Sequence, residues 1–302
     1  MSVVMDKQII EIINDGFTLS VNRGSLRIAN SSGQKDIPLD TILSIVISAH
    51  DTIFSKNFII SVCENGGNVI FCDKKYNPSA LTLPCFGHWL ISQRINWQID
   101  SSVPLKKNLW KEIISHKINN QALILEKFDP EHVEIPRLKQ LAKTVLSNDS
   151  KNNEAQAARI YFKALFGTDF VRDRDRNDIN MLLNYSYIIL RSMVARAVVG
   201  SGLLPFLSLK HCTKTNTMPL VDDLMEPFRP IADKLVIEEM NRMDKRNIEL
   251  SPEIKRRLAC IINYPVEVEK GKVPLNEALL VFVNSLVKSF EQKKMLLEFP
   301  KF

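Results

Sequence analysis

The chain is 302 residues long, with 45% hydrophobic and 25% charged residues, a composition that excludes disordered and fibrous proteins. No segment approaches the roughly 18 consecutive apolar residues of a membrane-spanning helix, so a cytoplasmic location without a membrane partner is expected. Residues 1–100 hold 8 Lys and Arg and 9 Asp and Glu, so the net charge of +6 comes from the later residues. Ordinary basic proteins carry such a surplus, as do proteins that bind nucleic acid. The five cysteines contain no C-x-x-C pair, which favours reduced thiols and argues against a zinc ribbon.

The first 95 residues predict a β domain with one inserted helix. Arg23-Gly24 indicates a hairpin turn between two of the strands. Residues 52–65 show helical spacing, with Ser55 as a candidate N-cap and Gly66-Gly67 at the end. The strand-forming runs, rich in Ile, Val, Leu and Thr, are residues 9–13, 18–21, 25–28, 37–47 and 68–72.

Helical spacing replaces strand alternation after a polar, proline-containing stretch at residues 100–104. We therefore predict an α+β chain with a β domain at residues 1–95, a linker at 96–104 and an all-α domain at 105–302. The predicted helices are residues 105–125, 136–146, 152–166, 178–199, 220–243, 251–262 and 275–290.

The chemically richest stretch is residues 209–230, which contains a histidine, three acids and an arginine. Asp223 and Glu226 are three positions apart in an apolar frame, which places both carboxylates on one face of a helix. Such a face is unfavourable unless a positive partner or solvent meets it. A metal ion, an arginine and solvent all remain candidates for that partner, and His211 lies shortly upstream.

Two upstream helices carry further polar candidates. Asn152 is the expected N-cap of helix 152–166, and Glu154 falls in its first turn, where an acid commonly stabilises the helix dipole. The helix at 178–199 begins with a stripe of Asp, Asn and Tyr residues that is too polar for a plain core face. Buried Asn and Tyr usually orient the backbone or a functional side chain.

Several motifs in this order carry a family resemblance. The blocks are E-A-x-A-A-R-x-Y-F at 154–162, D-I-N-x-L-L-N-Y-x-Y at 178–187, a histidine, D-L-M-E-P-F-R-P at 223–230, K-I-x-N-Q at 117–121, and the segments 69–73 and 77–79. Together they resemble the CRISPR-associated adaptation integrases, the first-numbered Cas proteins, in their type II form. The resemblance implies a β-sandwich-like N-terminal domain that dimerises and an all-α C-terminal domain that carries the active site and binds DNA.

The same resemblance implies a metal-binding and catalytic triad of Glu154, His211 and Glu226. Two carboxylates and one imidazole suit Mg²⁺ or Mn²⁺ better than Zn²⁺. Ser208 and Lys210 stand where relatives have a glycine and a histidine. Because neither change removes a triad residue, we expect an active enzyme.

The implied activity is transesterification that joins the 3′-OH ends of a short duplex DNA to the leader-proximal CRISPR repeat, with DNA endonuclease side activity. The implied partners are double-stranded DNA, a second copy of the chain, the small second-numbered Cas protein and other type II adaptation proteins. A structure-selective metal-dependent DNase and a catalytically silent DNA-holding scaffold are the alternatives.

Further residues are expected to support this site or to contact DNA. Asp223 would orient His211 or cap its own helix, and Asn184 and Tyr185 would support the metal ligands. Arg229 could hold a phosphate or pair with Asp223 or Glu226. The candidate DNA contacts are Arg159, Arg172, Arg174, Arg176, Arg229, Lys255, Arg256 and Arg257. The alternation of arginines and aspartates at residues 172–176 is also typical of an exposed loop whose charges neutralise one another. Basic runs such as residues 255–257 often form solvated helix faces.

Overall fold

A computed structural model describes residues 8–72, 78–82, 84, 90–173, 175–176, 178–210, 216–243, 248–269 and 271–302. The fold is mixed α+β, with most strands preceding the helices. The strands are β1 (Gln8–Ile12), β2 (Phe17–Asn22), β3 (Ser25–Asn30), β4 (Gly33–Pro38), β5 (Ile42–Ile47), β6 (Thr52–Phe54), β7 (Asn68–Cys72), β8 (Pro78–Leu81), β9 (Pro265–Val268) and β10 (Gly271–Pro274). The helices are α1 (Lys56–Glu64), α2 (Ile91–Ile99), α3 (Val103–Phe128), α4 (Ile135–Lys143), α5 (Asn153–Phe166), α6 (Ile179–Gly200), α7 (Pro219–Met225), α8 (Arg229–Met240), α9 (Pro252–Ala259) and α10 (Leu275–Gln292).

The N-terminal strands form two four-stranded sheets, ordered β1-β5-β7-β8 and β4-β3-β2-β6. Both sheets and α1 share one hydrophobic core, which includes Leu19 from β2, Ile45 from β5 and Phe58 from α1. The β2–β3 hairpin turns at Arg23 and Gly24, whose φ values of 47° and 77° match the turn that two-residue hairpins favour. The hairpin prediction is therefore confirmed.

Local capping fixes the inserted helix α1. The Ser55 hydroxyl accepts a hydrogen bond from the Phe58 amide at 3.2 Å, as the N-cap prediction required. The residues before Ser55 differ from the prediction because Thr52–Phe54 pairs with β2 as the edge strand β6. The helical spacing covered residues 52–65, whereas α1 begins only at Lys56.

The longest helices form the centre of the C-terminal part. α3 contacts α4, α5 and α8, whereas α6 contacts α7 to α10. By length and composition α6 could cross a membrane, but 72% of its apolar window is buried within the structure. It is a core helix and does not indicate a membrane protein.

The expectation that residues 105–302 are all-α is wrong at the β9–β10 hairpin. Val266, Val268 and Val273 are β-branched residues that favour extended backbone. Gly271 provides a φ of 113° at the turn, a value that residues with a side chain rarely adopt. Four-residue strands of this kind are too short to show a clear alternation in sequence.

The sheets and the helices are in direct contact. Leu43 of β5 packs into the helical core, and the Asn68 amide of β7 donates to the Ser192 carbonyl of α6 at 3.2 Å. The predicted linker at residues 96–104 falls on the end of α2 and the first turn of α3. Within it, buried Gln98 donates to the Leu204 carbonyl at 3.0 Å, which ties this segment to the chain that follows α6.

Candidate active site

Two of the three predicted triad residues meet at one lysine. Lys117 of α3 places its Nζ 2.7 Å from Glu154 Oε1 and 2.5 Å from Glu226 Oε2. The Lys117 and Glu226 side chains are 9% and 6% exposed, and Glu154 is 24% exposed. The ammonium therefore bridges two carboxylates that come from different elements and face a largely buried space.

A capping carboxylate positions Glu154. Asp149 accepts hydrogen bonds from the Asn153 amide at 2.8 Å and the Glu154 amide at 3.0 Å, so it satisfies two amides of the first turn of α5. The prediction that Asn152 caps this helix is wrong. Asn152 has a left-handed backbone (φ 53°), and its side chain makes no capping hydrogen bond. The chain turns at that residue, so the carboxylate of Asp149 reaches the open amides instead.

Glu226 lies where two helices join. α7 ends at Met225, and Glu226–Phe228 forms a 3₁₀ turn before α8 begins at Arg229. Pro227 lacks an amide hydrogen, so the helix predicted over 220–243 is interrupted here. The Asn120 amide of α3 donates to the Pro227 carbonyl at 2.8 Å and fixes this turn against α3.

Arg229 holds the other oxygen of Glu226. Its Nε lies 3.0 Å from Glu226 Oε1, which is the ion-pair alternative considered for this residue. Its guanidinium also stacks on Tyr187 of α6, with Cζ 4.7 Å from the ring centroid. Stacking and pairing together fix the planar guanidinium in place.

The polar stripe of α6 orients a second arginine. Arg172 donates to Asn180 at 2.8 Å and to Asn184 at 2.7 Å, and its Cζ lies 5.5 Å from the Tyr187 ring centroid. Tyr187 donates a short hydrogen bond to Asp233 of α8. Asn184 therefore fixes a second cation, and the guanidinium groups of Arg172 and Arg229 both lie over the Tyr187 ring.

The charges of this centre depend on one another. Burial by itself lowers the pKa of Lys117, but the carboxylates of Glu226 and Glu154 outweigh burial and raise that pKa above its usual value. The ammonium therefore stays protonated at neutral pH. Burial raises the pKa of Asp233 to about 6, although its hydrogen bond from Tyr187 acts in the opposite direction.

His211, like Arg174, lies outside the described residues. The chain leading to it is nevertheless fixed, because the fully buried Asp223 accepts hydrogen bonds from the Leu209 amide at 2.8 Å and the Lys210 amide at 2.9 Å. Asp223 thus holds the two residues that immediately precede His211.

The remaining predicted residues lie elsewhere. Tyr185 donates to Glu11 of β1 at 3.2 Å, and the Lys255 ammonium lies 2.7 Å from the same carboxylate. The structure thus brings Tyr185 and Lys255 to the first sheet. Arg257 pairs at 2.6 Å with both Glu239 and Glu253. Among the predicted DNA-contact residues that the structure describes, Arg159, Arg176 and Arg256 have exposed side chains.

The role of Lys117 was not predicted, although this residue begins the K-I-x-N-Q element at 117–121. Lys117 and Asn120 are three residues apart, so they lie on one face of α3, and that face meets Glu226 and Pro227. A buried lysine in a polar motif signals a carboxylate partner, because unpaired buried charge is rare. The sequence offers no comparable signal for Asp149.

Two of the three predicted ligands offer oxygen donors of the kind that a hard divalent cation prefers. Glu154 and Glu226 supply carboxylate oxygens, which such ions prefer, and the two groups already share one positive partner. Within the described ranges, no cluster of three or more His, Cys, Asp and Glu side chains could hold a metal ion. The third predicted ligand, His211, falls in the undescribed segment 211–215.

Comparisons with known proteins agree with the sequence blocks. A family model described as CRISPR associated protein Cas1 matches residues 10–259. The chain is 35% identical over 280 residues to the CRISPR-associated endonuclease Cas1 of Neisseria meningitidis serogroup C (strain 8013), a match that covers 93% of this chain and 90% of that protein.

Solved structures share the fold. A casposase bound to its integration product matches with a TM-score of 0.80 at 20% identity, over 96% of this chain and 92% of that one. A chain of a Cas6-RT-Cas1–Cas2 complex matches with a TM-score of 0.78 at 16% identity, over all of this chain and 37% of that one. The family prediction is confirmed: this chain belongs to the Cas1 family of CRISPR-associated proteins.

Proposed function

We propose that this chain is a metal-dependent DNA integrase of CRISPR adaptation that acts in the prokaryotic cytoplasm. It joins the 3′-OH ends of a short duplex DNA to the leader-proximal repeat by transesterification, and hydrolytic nicking is a side activity. The observation that carries the proposal is the convergence of Glu154 and Glu226, from separate elements, on one cationic partner. Membership of the Cas1 family supports the reaction class.

Glu154, Glu226 and His211 would hold Mg²⁺ or Mn²⁺. When bound, a divalent ion supplies Lewis-acid polarisation of a phosphodiester oxygen and favours deprotonation of an attacking hydroxyl. The chain supplies the geometry: Asp149 holds the first turn of α5 that carries Glu154, and Arg229 orients Glu226. Asp223 holds the main chain that leads to His211. A centre whose residues are held in this way needs little rearrangement of the main chain before the reaction.

The proposed partners follow from the family. The chain would form a homodimer through its β domain and join the small Cas2 protein, and other type II adaptation proteins could join the assembly. A structural neighbour in a complex that contains Cas1 and Cas2 supports the Cas2 partner. Duplex DNA would lie on basic surface that includes Arg159, Arg176 and Arg256, where exposed guanidinium groups can contact phosphates.

Product analysis separates this function from its alternatives. A short duplex with 3′-OH ends is incubated with a supercoiled plasmid that carries a leader and repeat, with Cas2 and Mg²⁺ or Mn²⁺ present. We expect covalent joining of the duplex at the repeat, which conserves the number of phosphodiester bonds. Cut DNA without joined product would favour the DNase alternative, and the absence of both products would favour the scaffold.

A further inference from the structure

Lys117 lies between the two carboxylates that are proposed to hold the divalent ion. The Lys117 ammonium contacts Glu154 Oε1 at 2.7 Å and Glu226 Oε2 at 2.5 Å, and its side chain is almost completely buried. These carboxylates are the two groups proposed to hold the divalent ion. A resident cation of the protein therefore already neutralises the oxygens that the ion would use.

The ion and the ammonium cannot share these oxygens favourably. With Lys117 and Arg229 both in place, the two carboxylates are balanced by two positive charges. A divalent ion added to this set would leave a buried excess of positive charge, and like charges at short range repel strongly in a low-dielectric interior. One of the protein's own cations must move away when the ion binds.

The structure distinguishes which cation can move. Arg229 is held on Glu226 Oε1 and stacked on the Tyr187 ring, so its planar group is fixed from two sides. Lys117 carries a compact charge on a flexible four-carbon chain, so a change of side-chain rotamer, without a change in the backbone of α3, would move its ammonium off both carboxylates. The oxygens that become available are then Glu154 Oε1 and Glu226 Oε2, the two that Lys117 occupies.

We propose that Lys117 is a resident counter-cation that competes with the divalent ion for Glu154 and Glu226 and thereby weakens the affinity of the site for that ion. This inference rests on the metal site of the proposed function. Without the ion, Lys117 stabilises the fold by neutralising the two carboxylates. With the ion bound, the ammonium leaves them and lies at the edge of the site.

The test is a titration of the full-length protein with MnCl₂ alone, followed by calorimetry and by thermal unfolding. Lys117→Met removes the competing charge, so we expect Mn²⁺ to bind at least about tenfold more tightly than to the wild type, because the ion then neutralises carboxylates that have lost the Lys117 ammonium. The melting temperature without Mn²⁺ should fall, and the rise on adding Mn²⁺ should be larger than in the wild type.

Lys255→Met is the matched control. The Lys255 side chain is 10% exposed and lies 2.7 Å from Glu11, so this variant also removes a buried ammonium from a carboxylate, but at another place. It should lower the melting temperature while leaving the Mn²⁺ affinity unchanged. Lys117→Gln is a second variant for the site, since its neutral amide can still donate a hydrogen bond if Lys117→Met does not fold.

The outcomes are distinguishable. An Mn²⁺ affinity in the Lys117 variants that equals the wild-type affinity or is weaker overturns the competition, while the metal site itself stands. No Mn²⁺ binding in the wild type or in the Lys117 variants overturns both the metal site and the inference. Tighter binding in the Lys117 variants and not in Lys255→Met supports the inference.

Discussion

Asp223 and Glu226 lie one helical turn apart, yet their carboxylates bind different kinds of group. Glu226 faces the side-chain cations Lys117 and Arg229, whereas Asp223 accepts two main-chain amides of the segment before His211. Glu226 lies in the 3₁₀ turn that follows α7 and reaches Lys117 of α3, whereas Asp223 lies within α7. Glu226 therefore lies in the proposed metal site, and Asp223 holds the chain that leads to His211.

Removal of the Asp223 carboxylate should destabilise the protein through those amides. Asp223→Ala leaves the Leu209 and Lys210 amides without this acceptor, and the expected loss is about 2–4 kcal/mol in the free energy of unfolding. Asp223→Asn keeps one acceptor oxygen and should lose less. Urea unfolding measures both values, and an Ala variant as stable as the wild type would show that these bonds contribute nothing.

Asp233 should make stability depend on pH. Burial raises its pKa from 3.8 to about 6, so the folded protein binds this proton more tightly than the unfolded chain. The contribution of Asp233 to the free energy of unfolding therefore falls as the pH rises from about 4 to about 6. Asp233→Asn removes this dependence. The free energy of unfolding of the variant, relative to that of the wild type, should therefore rise by about 2–3 kcal/mol across that pH interval.

Urea unfolding of the wild type and Asp233→Asn at several pH values checks this result. Asp36→Asn is the control, because the Arg27 hydrogen bond lowers the pKa of that exposed carboxyl. Its stability relative to the wild type should change in the opposite direction, falling as the pH rises. A stability difference for Asp233→Asn that stays constant with pH would refute the buried, raised-pKa carboxyl.

Among the elements, α5 shows how a short segment positions a proposed metal ligand. The turn at residues 148–152 contains three left-handed residues, Asn148, Asp149 and Asn152, and directs the Asp149 carboxylate onto the first amides of α5. That cap holds the first turn, and the first turn carries Glu154. The position of Glu154 thus depends on a residue outside the helix.

Asp149→Gly should cost about 1 kcal/mol of stability through the lost cap, without strain at this left-handed residue, and should also weaken Mn²⁺ binding, because Glu154 loses its fixed position. Asn152→Gly is the matched control, since glycine adopts the left-handed backbone of that residue without strain. It should leave both quantities nearly unchanged. Equal effects of the two substitutions on Mn²⁺ affinity would show that Asp149 has no special role.

In the whole molecule, Glu11 joins the first sheet to the helices. Its carboxylate pairs with Lys255 of α9 and accepts a hydrogen bond from Tyr185 of α6. Burial and the nearby Glu11 raise the pKa of Tyr185, so its hydroxyl remains a donor at ordinary pH. The two parts of the chain are therefore connected by a largely buried ion pair.

Glu11→Ala should lower the free energy of unfolding by about 3 kcal/mol or more, because it takes the carboxylate from a buried ammonium. The double variant Glu11→Ala/Lys255→Met should recover part of that loss, because it also removes the ammonium that Glu11→Ala deprives of its carboxylate. A double-mutant cycle by urea unfolding measures the coupling. Strictly additive losses would mean that the pair does not link the two parts energetically.

The sequence predicts those features that depend on neighbouring residues. The hairpin at Arg23-Gly24 and the Ser55 cap follow from local rules, and the ordered blocks predict the family. Lys117 could not be assigned a role in this way, because its partner Glu154 is 37 residues away and the pair forms only when α3 and α5 pack. The cap by Asp149 depends on a left-handed turn that the sequence does not specify.

We expect strand transfer to require Glu154 and Glu226 together with a divalent ion. The rate of 3′-OH joining to a repeat, at saturating Mn²⁺ and with Cas2, tests this requirement for Glu226→Gln and for Glu253→Gln. Glu253 is 74% exposed and serves as the control. We expect a loss of about a hundredfold or more for Glu226→Gln and wild-type joining for Glu253→Gln. Wild-type joining by Glu226→Gln would contradict the proposed role of Glu226.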